Sequence, residues 1–166
     1  RLDVIDELPV EPGLSHRDYV LVVARFVPEN TIPEFLDAAP RIAESLPVVI
    51  VGSSGYGGEL DERVAALASE NENITWMGHI SDDRRLLALW QHAAVYFHGH
   101  SVGGTNPTLV QAMANATPVV ARDTVYNREV LGAGGHFCAP QAEAISEAVL
   151  SLAGDEEAMA SASAAN

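Results

Sequence analysis

Residues 95–120 read VYFHGHSVGGTNPTLVQAMANATPVV, and the rest of the chain can be parsed outward from them. Val95, Tyr96 and Phe97 have strand character, the polar loop from His98 to Asn106 carries Gly103 and Gly104, Pro107 suits a first helical turn, and a second apolar run starts at Thr117. Strand, loop, helix and strand make one crossover unit of a parallel sheet. With Asn106 as the helix cap, the loop carries backbone N–H groups to the positive end of a helix dipole, where an anion is stabilised. The two glycines let a ligand approach the main chain closely. The same residues also make an ordinary turn, so the flanking sequence has to decide.

Upstream, the pattern repeats. Tyr19 to Phe26, YVLVVARF, is a nearly continuous β-branched run of the kind buried on both faces of a parallel sheet. Thr31 and Glu34 have capping-box spacing ahead of a helix through Leu46, with Pro33 in its first turn and Pro40 placed to distort it. PVVIVG, residues 47–52, predicts a second strand, followed by SSGYGG and a helix over Leu60–Ser69. Ile74–Ile80 predicts a third strand, and Ser81 caps a helix with Asp82 and Asp83 in its first turn. Downstream come a fifth strand at Thr117–Ala121, a short sixth at Gly135–Cys138 and a last helix at Gln141–Leu152.

This alternation predicts an α/β fold: a single Rossmann-like, doubly wound parallel sheet of about six strands with helices on both faces. Residues 1–17 read as a linker or irregular arm, residues 18–153 as the domain, and residues 154–166 as an Ala/Ser-rich tail. The start at Arg1 and that tail fit a segment of a longer chain. Polar loops follow the strands at Phe26, Gly52, Gly78 and Phe97, and ligands of such sheets bind at that rim.

Exclusion narrows the ligand. A net charge of −14 argues against nucleic acid and against electrostatic docking on an anionic membrane. All nine basic residues are arginine, so any cation at a phosphate must be Arg. No run of 18 apolar residues spans a membrane, and the acidic N-terminus is not a signal peptide. The lone Cys138 forms no internal disulfide and reads as a small core residue, which fits a cytoplasmic setting. The turn after the first strand, ARFVPENT, lacks glycine and so lacks the dinucleotide fingerprint; SSGYGG lacks the lysine of a P-loop. No G-x-S-x-G elbow is present, and His98 and His100 have no third metal ligand nearby in sequence.

ARFVPEN, VIVGSSG, WMGHI and HGHSVGGTNPTLVQAMANATPVVARD, in that order, resemble the C-terminal domain of GT-B glycosyltransferases, nearest to the GT4 family. FHGHSVGGTNPTLVQAMA followed by NREVLG is similar to bacterial rhamnosyltransferases of polysaccharide assembly. The resemblance implies the C-terminal half of a GT-B fold that binds a nucleoside-diphosphate sugar, dTDP-rhamnose or a UDP-sugar. It implies a retaining transfer to a glycan or lipid-linked acceptor with neither metal nor cofactor. It further implies a separate N-terminal acceptor-binding domain outside these residues, and a cytoplasmic protein at most peripheral to the inner face of the membrane.

Carried over residue by residue, the resemblance makes Arg25 the phosphate-binding, catalytic arginine. Asn30 stands where the family has a lysine; Ser53 and Ser54 fall near the phosphates or sugar, His79 and Ile80 at the base, and His100 and Ser101 near the sugar. Gly103, Gly104, Thr105 and Asn106 form the cradle, and Gln111 falls at the ribose. The family's two-carboxylate motif falls on Gly103 and Gln111, so both carboxylates are missing, and Ala116 replaces a helix-ending glycine. Asn127 and Glu129 either reach the crevice or lie in a solvated turn. These departures leave two other readings open: a non-catalytic nucleotide-sugar or protein-binding module, and a GT-B-like sugar-nucleotide epimerase.

Overall fold

A computed structural model of the chain describes residues 8–101 and 107–165. Its six strands form one parallel sheet in the order β3-β2-β1-β4-β5-β6: β1 Val20–Val23, β2 Val48–Val51, β3 Ile74–Gly78, β4 Val95–His98, β5 Val119–Arg122 and β6 His136–Cys138. The order reverses between β1 and β4, which opens the switch-point crevice there. The helices are α1 Ile32–Ala43, α2 Glu59–Glu70, α3 Asp83–His92, α4 Pro107–Ala114, α5 Val125–Leu131, α6 Ala142–Ala153 and α7 Glu156–Ala165.

Alternate strand residues enter two cores. Val20, Val22, Val48, Ile50 and Phe97 face one side, where α1, α2, α6 and α7 pack; Leu21, Val23, Val49, Val51 and Tyr96 face the other, under α3, α4 and α5. A strand buried on both faces needs an unbroken apolar run, which is why YVLVVARF lacks the polar alternation of a half-exposed strand. Phe35 of α1 stacks on Phe97 of β4 at 5.1 Å between ring centroids and ties that helix to the sheet beside the crevice. Cys138 is a buried core thiol, its pKa pushed up to about 11 by burial.

Several local readings differ from the structure. Thr31 makes no side-chain cap for α1; it sits at φ 60 and turns its hydroxyl to the carbonyl of Gly99, 2.5 Å away, so the capping box with Glu34 does not form. Asp82, not Ser81, caps α3, because its carboxylate accepts from the amides of Arg84 and Arg85. Pro40 lies on the exposed side of an unbroken α1. Asn127 and Glu129, read as either reaching the crevice or lying in a solvated turn, lie on α5, capped by the Thr124 hydroxyl accepting from the Asn127 amide. The Ala/Ser-rich segment read as a tail contains α7, where Ala158, Met159 and Ala162 meet the core and the Ser163 hydroxyl donates to Ala116 O at 2.5 Å. Small residues permit that close approach, which composition alone does not reveal. Among the described residues, no helix is long and apolar enough to cross a membrane.

Ala116 has φ 55, the left-handed conformation that closes α4. A Cβ there costs about 1–2 kcal/mol, partly offset in glycine by its larger unfolded-state entropy. Ala116→Gly should therefore stabilise the fold by about 0.5–1 kcal/mol, read as a higher urea midpoint at unchanged slope.

Candidate functional site

At the C-terminal ends of β1, β2 and β3 lies a cleft of about 520 Å³. Val23, Val51, Ile80 and Leu86 form its apolar walls, and Arg25, Ser53 and His79 border it. Thr108, in the first turn of α4, closes one side, and a recess of about 370 Å³ continues past Leu86 and Thr108 to Gln111. A larger groove of about 850 Å³ runs between Arg17, Ala116 and α7, residues that precede β1 and β5 or follow the sheet. The smaller cleft is the better candidate, because it lies where strand ends and helix N-termini aim their dipoles.

The floor of the cleft depends on Gly52. At φ +130 its amide donates to Gly78 O at 2.7 Å, its carbonyl accepts from Trp76 Nε1 at 2.8 Å, and a Cβ on it would lie 1.8 Å from Ala24 O. The β1 and β2 chains can converge this closely only without a side chain at that position. Beyond it, Asp61 organises the SSGYGG loop: its carboxylate accepts from the amides of Ser54 and Gly58, each at 3.1 Å, and from the Ser54 hydroxyl. Burial opposes the charge on Asp61, but these hydrogen bonds outweigh it and hold the pKa below the usual value. Both the amide and the hydroxyl of Ser54 are thus spent on bracing the loop. Sequence reading passed over Asp61, although an acid three residues after Gly58 at a helix start was an available signal.

Arg25 is exposed at the rim. Asn30 is buried and donates from Nδ2 to Arg25 O at 2.8 Å, so it braces the main chain that carries the arginine. Ile80 is a buried wall residue and His79 an exposed one. Ser101 donates to Glu29 O from its amide at 3.0 Å and from its hydroxyl at 2.7 Å, which ties the start of the loop after β4 to the loop after β1. Gln111 is exposed on α4 beside the recess. Gly103, Gly104, Thr105 and Asn106 lie outside the described residues.

His98 and His100 stack at 4.4 Å between centroids. Tyr96 Oη donates to Val23 O at 3.3 Å, which leaves Tyr96 to accept from Nδ1–H of His98 at 3.2 Å. Burial pushes the pKa of His98 down to about 3, with His100 adding to the effect; burial followed by the charge of Arg25 takes His100 to about 4. Both rings are therefore neutral near pH 7. Because the folded pKa of His98 lies below its ordinary 6.5, the unfolded chain takes up the proton first and stability falls as pH drops from 6.5 towards 3. His100, shifted down to about 4, loses stability in the same direction, so at pH 5 the two rings together should cost roughly 3–4 kcal/mol, read from urea unfolding at pH 7.5 and pH 5.

Two further residues knit the rim together. Asn127 is buried and donates from Nδ2 to His100 O at 3.1 Å and to Arg122 O at 2.9 Å. Thr31 is held in its left-handed conformation by the bond to Gly99 and by Arg122 Nη1, which donates to Thr31 Oγ1 at 3.1 Å. A β-branched residue with positive φ is strained, and such strain persists only where several contacts fix it. A Cβ on Gly99 would lie 2.4 Å from Asn30 O, so the loops after β1 and β4 touch.

Comparison with known proteins places this geometry. A family profile described as "Glycosyl transferases group 1" matches residues 5–166. No curated protein matches. Among solved structures, the Anabaena protein Alr3699/HepE in complex with UDP superposes with a TM-score of 0.72 at 18% identity, covering 89% of this chain and 42% of that one. The C-terminal domain of LpcC, a glycosyl transferase group 1 family protein from Francisella tularensis, gives 0.73 at 16% identity over 90% of this chain and 82% of that one. TarM gives 0.72 at 16% identity over 96% and 33%. The chain thus spans less than half the length of HepE and TarM.

Proposed function

The chain belongs to the glycosyl transferases group 1 family, and from that premise we propose that it is the donor-binding half of a glycosyltransferase, which grips the diphosphate of a nucleotide sugar at the strand-end cleft. The observation that carries this reading is Arg25: in a protein of net charge −14, an exposed guanidinium with no ion pair among the described residues borders the crevice at the switch point. HepE, whose fold this chain shares, is described in complex with UDP and with UDP-glucose, which supports a nucleoside diphosphate as the ligand class.

Sugar transfer breaks the bond between the anomeric carbon and the diphosphate, and negative charge grows on the departing oxygens. Fixed donors aimed at those oxygens lower the barrier. Arg25 offers a planar fork to two phosphate oxygens and keeps its charge at any working pH. Thr108, in the first turn of α4, lines the same cleft, at the positive end of that helix's dipole. The apolar walls, with Ile80 at the far end, suit a base, and Gln111 beside the adjoining recess suits ribose hydroxyls, as acceptor and as donor. In this reading the reaction retains anomeric configuration, needs no metal, uses rhamnose, and is completed by an acceptor domain of the same protein. A non-catalytic nucleotide-sugar module is the second reading, favoured by the inward-turned Asn30, and turnover by the whole protein eliminates it.

Calorimetric titration with dTDP, UDP and GDP tests the proposal. At least one should bind, with dTDP tightest if rhamnose is the donor; no heat from any of them at millimolar concentration would overturn it.

A further inference from the structure

Burying a hydroxyl in an apolar core costs stability unless its hydrogen bonds are made, so a tyrosine where phenylalanine would pack as well marks a place where those bonds matter. Among the described residues, the core under α3, α4 and α5 holds two such side chains with no exposed surface, Tyr19 and Tyr96. Tyr19, just ahead of β1, donates to one carbonyl, Leu89 O, at 2.5 Å. Tyr96 is bonded differently. Its single proton goes to Val23 O at 3.3 Å, because a carbonyl can only accept, and its oxygen accepts from Nδ1–H of His98 at 3.2 Å and from the Thr108 hydroxyl. Burial pushes the phenol's pKa up, with the Thr108 bond opposing, so the proton stays on Oη and the direction of each bond is fixed at any working pH.

These three partners belong to three elements. Val23 ends β1 two residues before Arg25, His98 ends β4, and Thr108 lies in the first turn of α4. Val23 and Thr108 both line the cleft, and Tyr96 shares its core with Val51 and Ile80, which line it too, so the phenol stands on the cleft's own face of the sheet. α4 has eight residues, of which Leu109 and Ala112 are buried. Apolar packing is non-directional and lets so short a helix slide or turn, whereas a hydrogen bond fixes both distance and angle.

We infer that Tyr96 is a positioning residue of the donor site, whose hydroxyl pins the first turn of α4 to the end of β1 so that the helix's positive end and Arg25 meet the same diphosphate. This rests on the proposed donor site and adds to it the side chain that sets its spacing. A ligand that bridges two groups is held well only where their separation matches it, and a misplacement of about 0.5–1 Å is enough to weaken the grip.

The test titrates whichever of dTDP, UDP and GDP binds against the wild-type protein, Tyr96→Phe, Thr108→Val, the double variant and Tyr19→Phe. Tyr96→Phe and Thr108→Val should each weaken binding by about 10-fold, and the double variant by no more than the larger single loss, because both cut the same link. Tyr19→Phe removes a buried hydroxyl from the same core without touching that link, so its affinity should stay within about twofold of wild type whatever stability it loses. Thr108→Val leaves the bonds of Tyr96 to Val23 and His98 intact and carries the test if Tyr96→Phe does not fold. Undiminished affinity in either cleft-side variant overturns the assignment. So do losses that multiply in the double variant, which would make Thr108 an independent ligand contact, and a matching loss in Tyr19→Phe, which would reduce the effect to a loosened core. A wild-type protein that binds none of the three nucleotides overturns the donor site itself, and this assignment with it.

Discussion

Gly52→Ala should abolish the native fold or lower its stability by more than about 4 kcal/mol, the range reserved for outright steric or polar failures. The new methyl carbon would lie 1.8 Å from Ala24 O, a main-chain atom that cannot swing aside without breaking the β1–β2 pairing. φ +130 adds strain for any residue with a side chain. Gly55→Ala makes the control: it also has positive φ, but its Cβ would meet nothing within 4 Å, so the cost should stay near 1–2 kcal/mol. Urea unfolding of both variants decides the matter, and a Gly52→Ala protein within about 1 kcal/mol of wild type would show that the two strands do not converge as described.

Arg25→Ala should reduce sugar transfer by the whole protein by about 100- to 1,000-fold while leaving stability within about 0.5 kcal/mol. The stability half follows from exposure: Arg25 makes no ion pair among the described residues, so its removal strands no partner. The kinetic half follows from the leaving group, whose charge is greatest in the transition state, so kcat should fall more than KM rises. Arg25→Lys should recover only part of the rate, since an ammonium lacks the fork that meets two oxygens. Turnover undiminished in Arg25→Ala would remove this residue from the reaction.

Much of the local architecture could be read directly. The six strands lie within a few residues of the apolar runs that announced them, because burial on both faces demands a continuous stretch of Val, Ile and Leu. Pro107 begins α4, and Ala116 adopts the left-handed conformation expected after it. What the sequence leaves open concentrates where one side chain has a choice of partners. Thr31 is a plausible cap by spacing, yet its hydroxyl goes to Gly99, a residue from another loop. Ser54 lines the cleft, and Asp61 takes both its amide and its hydroxyl. Asn30 was placed at the rim by resemblance, and only the packed fold shows it turned inward to the Arg25 carbonyl.

The sequence by itself determined the doubly wound sheet, the absence of any lysine for phosphate binding, and Arg25 at the end of the first strand, because periodicity, composition and order along the chain are properties of neighbours. Tertiary structure alone decided that β1 and β4 are adjacent, that Asn127 joins the ends of β4 and β5, and that Arg122 reaches Thr31 across 91 positions. Such contacts form only when strands distant in the chain are brought side by side, and no local pattern encodes which hydroxyl a distant arginine will find.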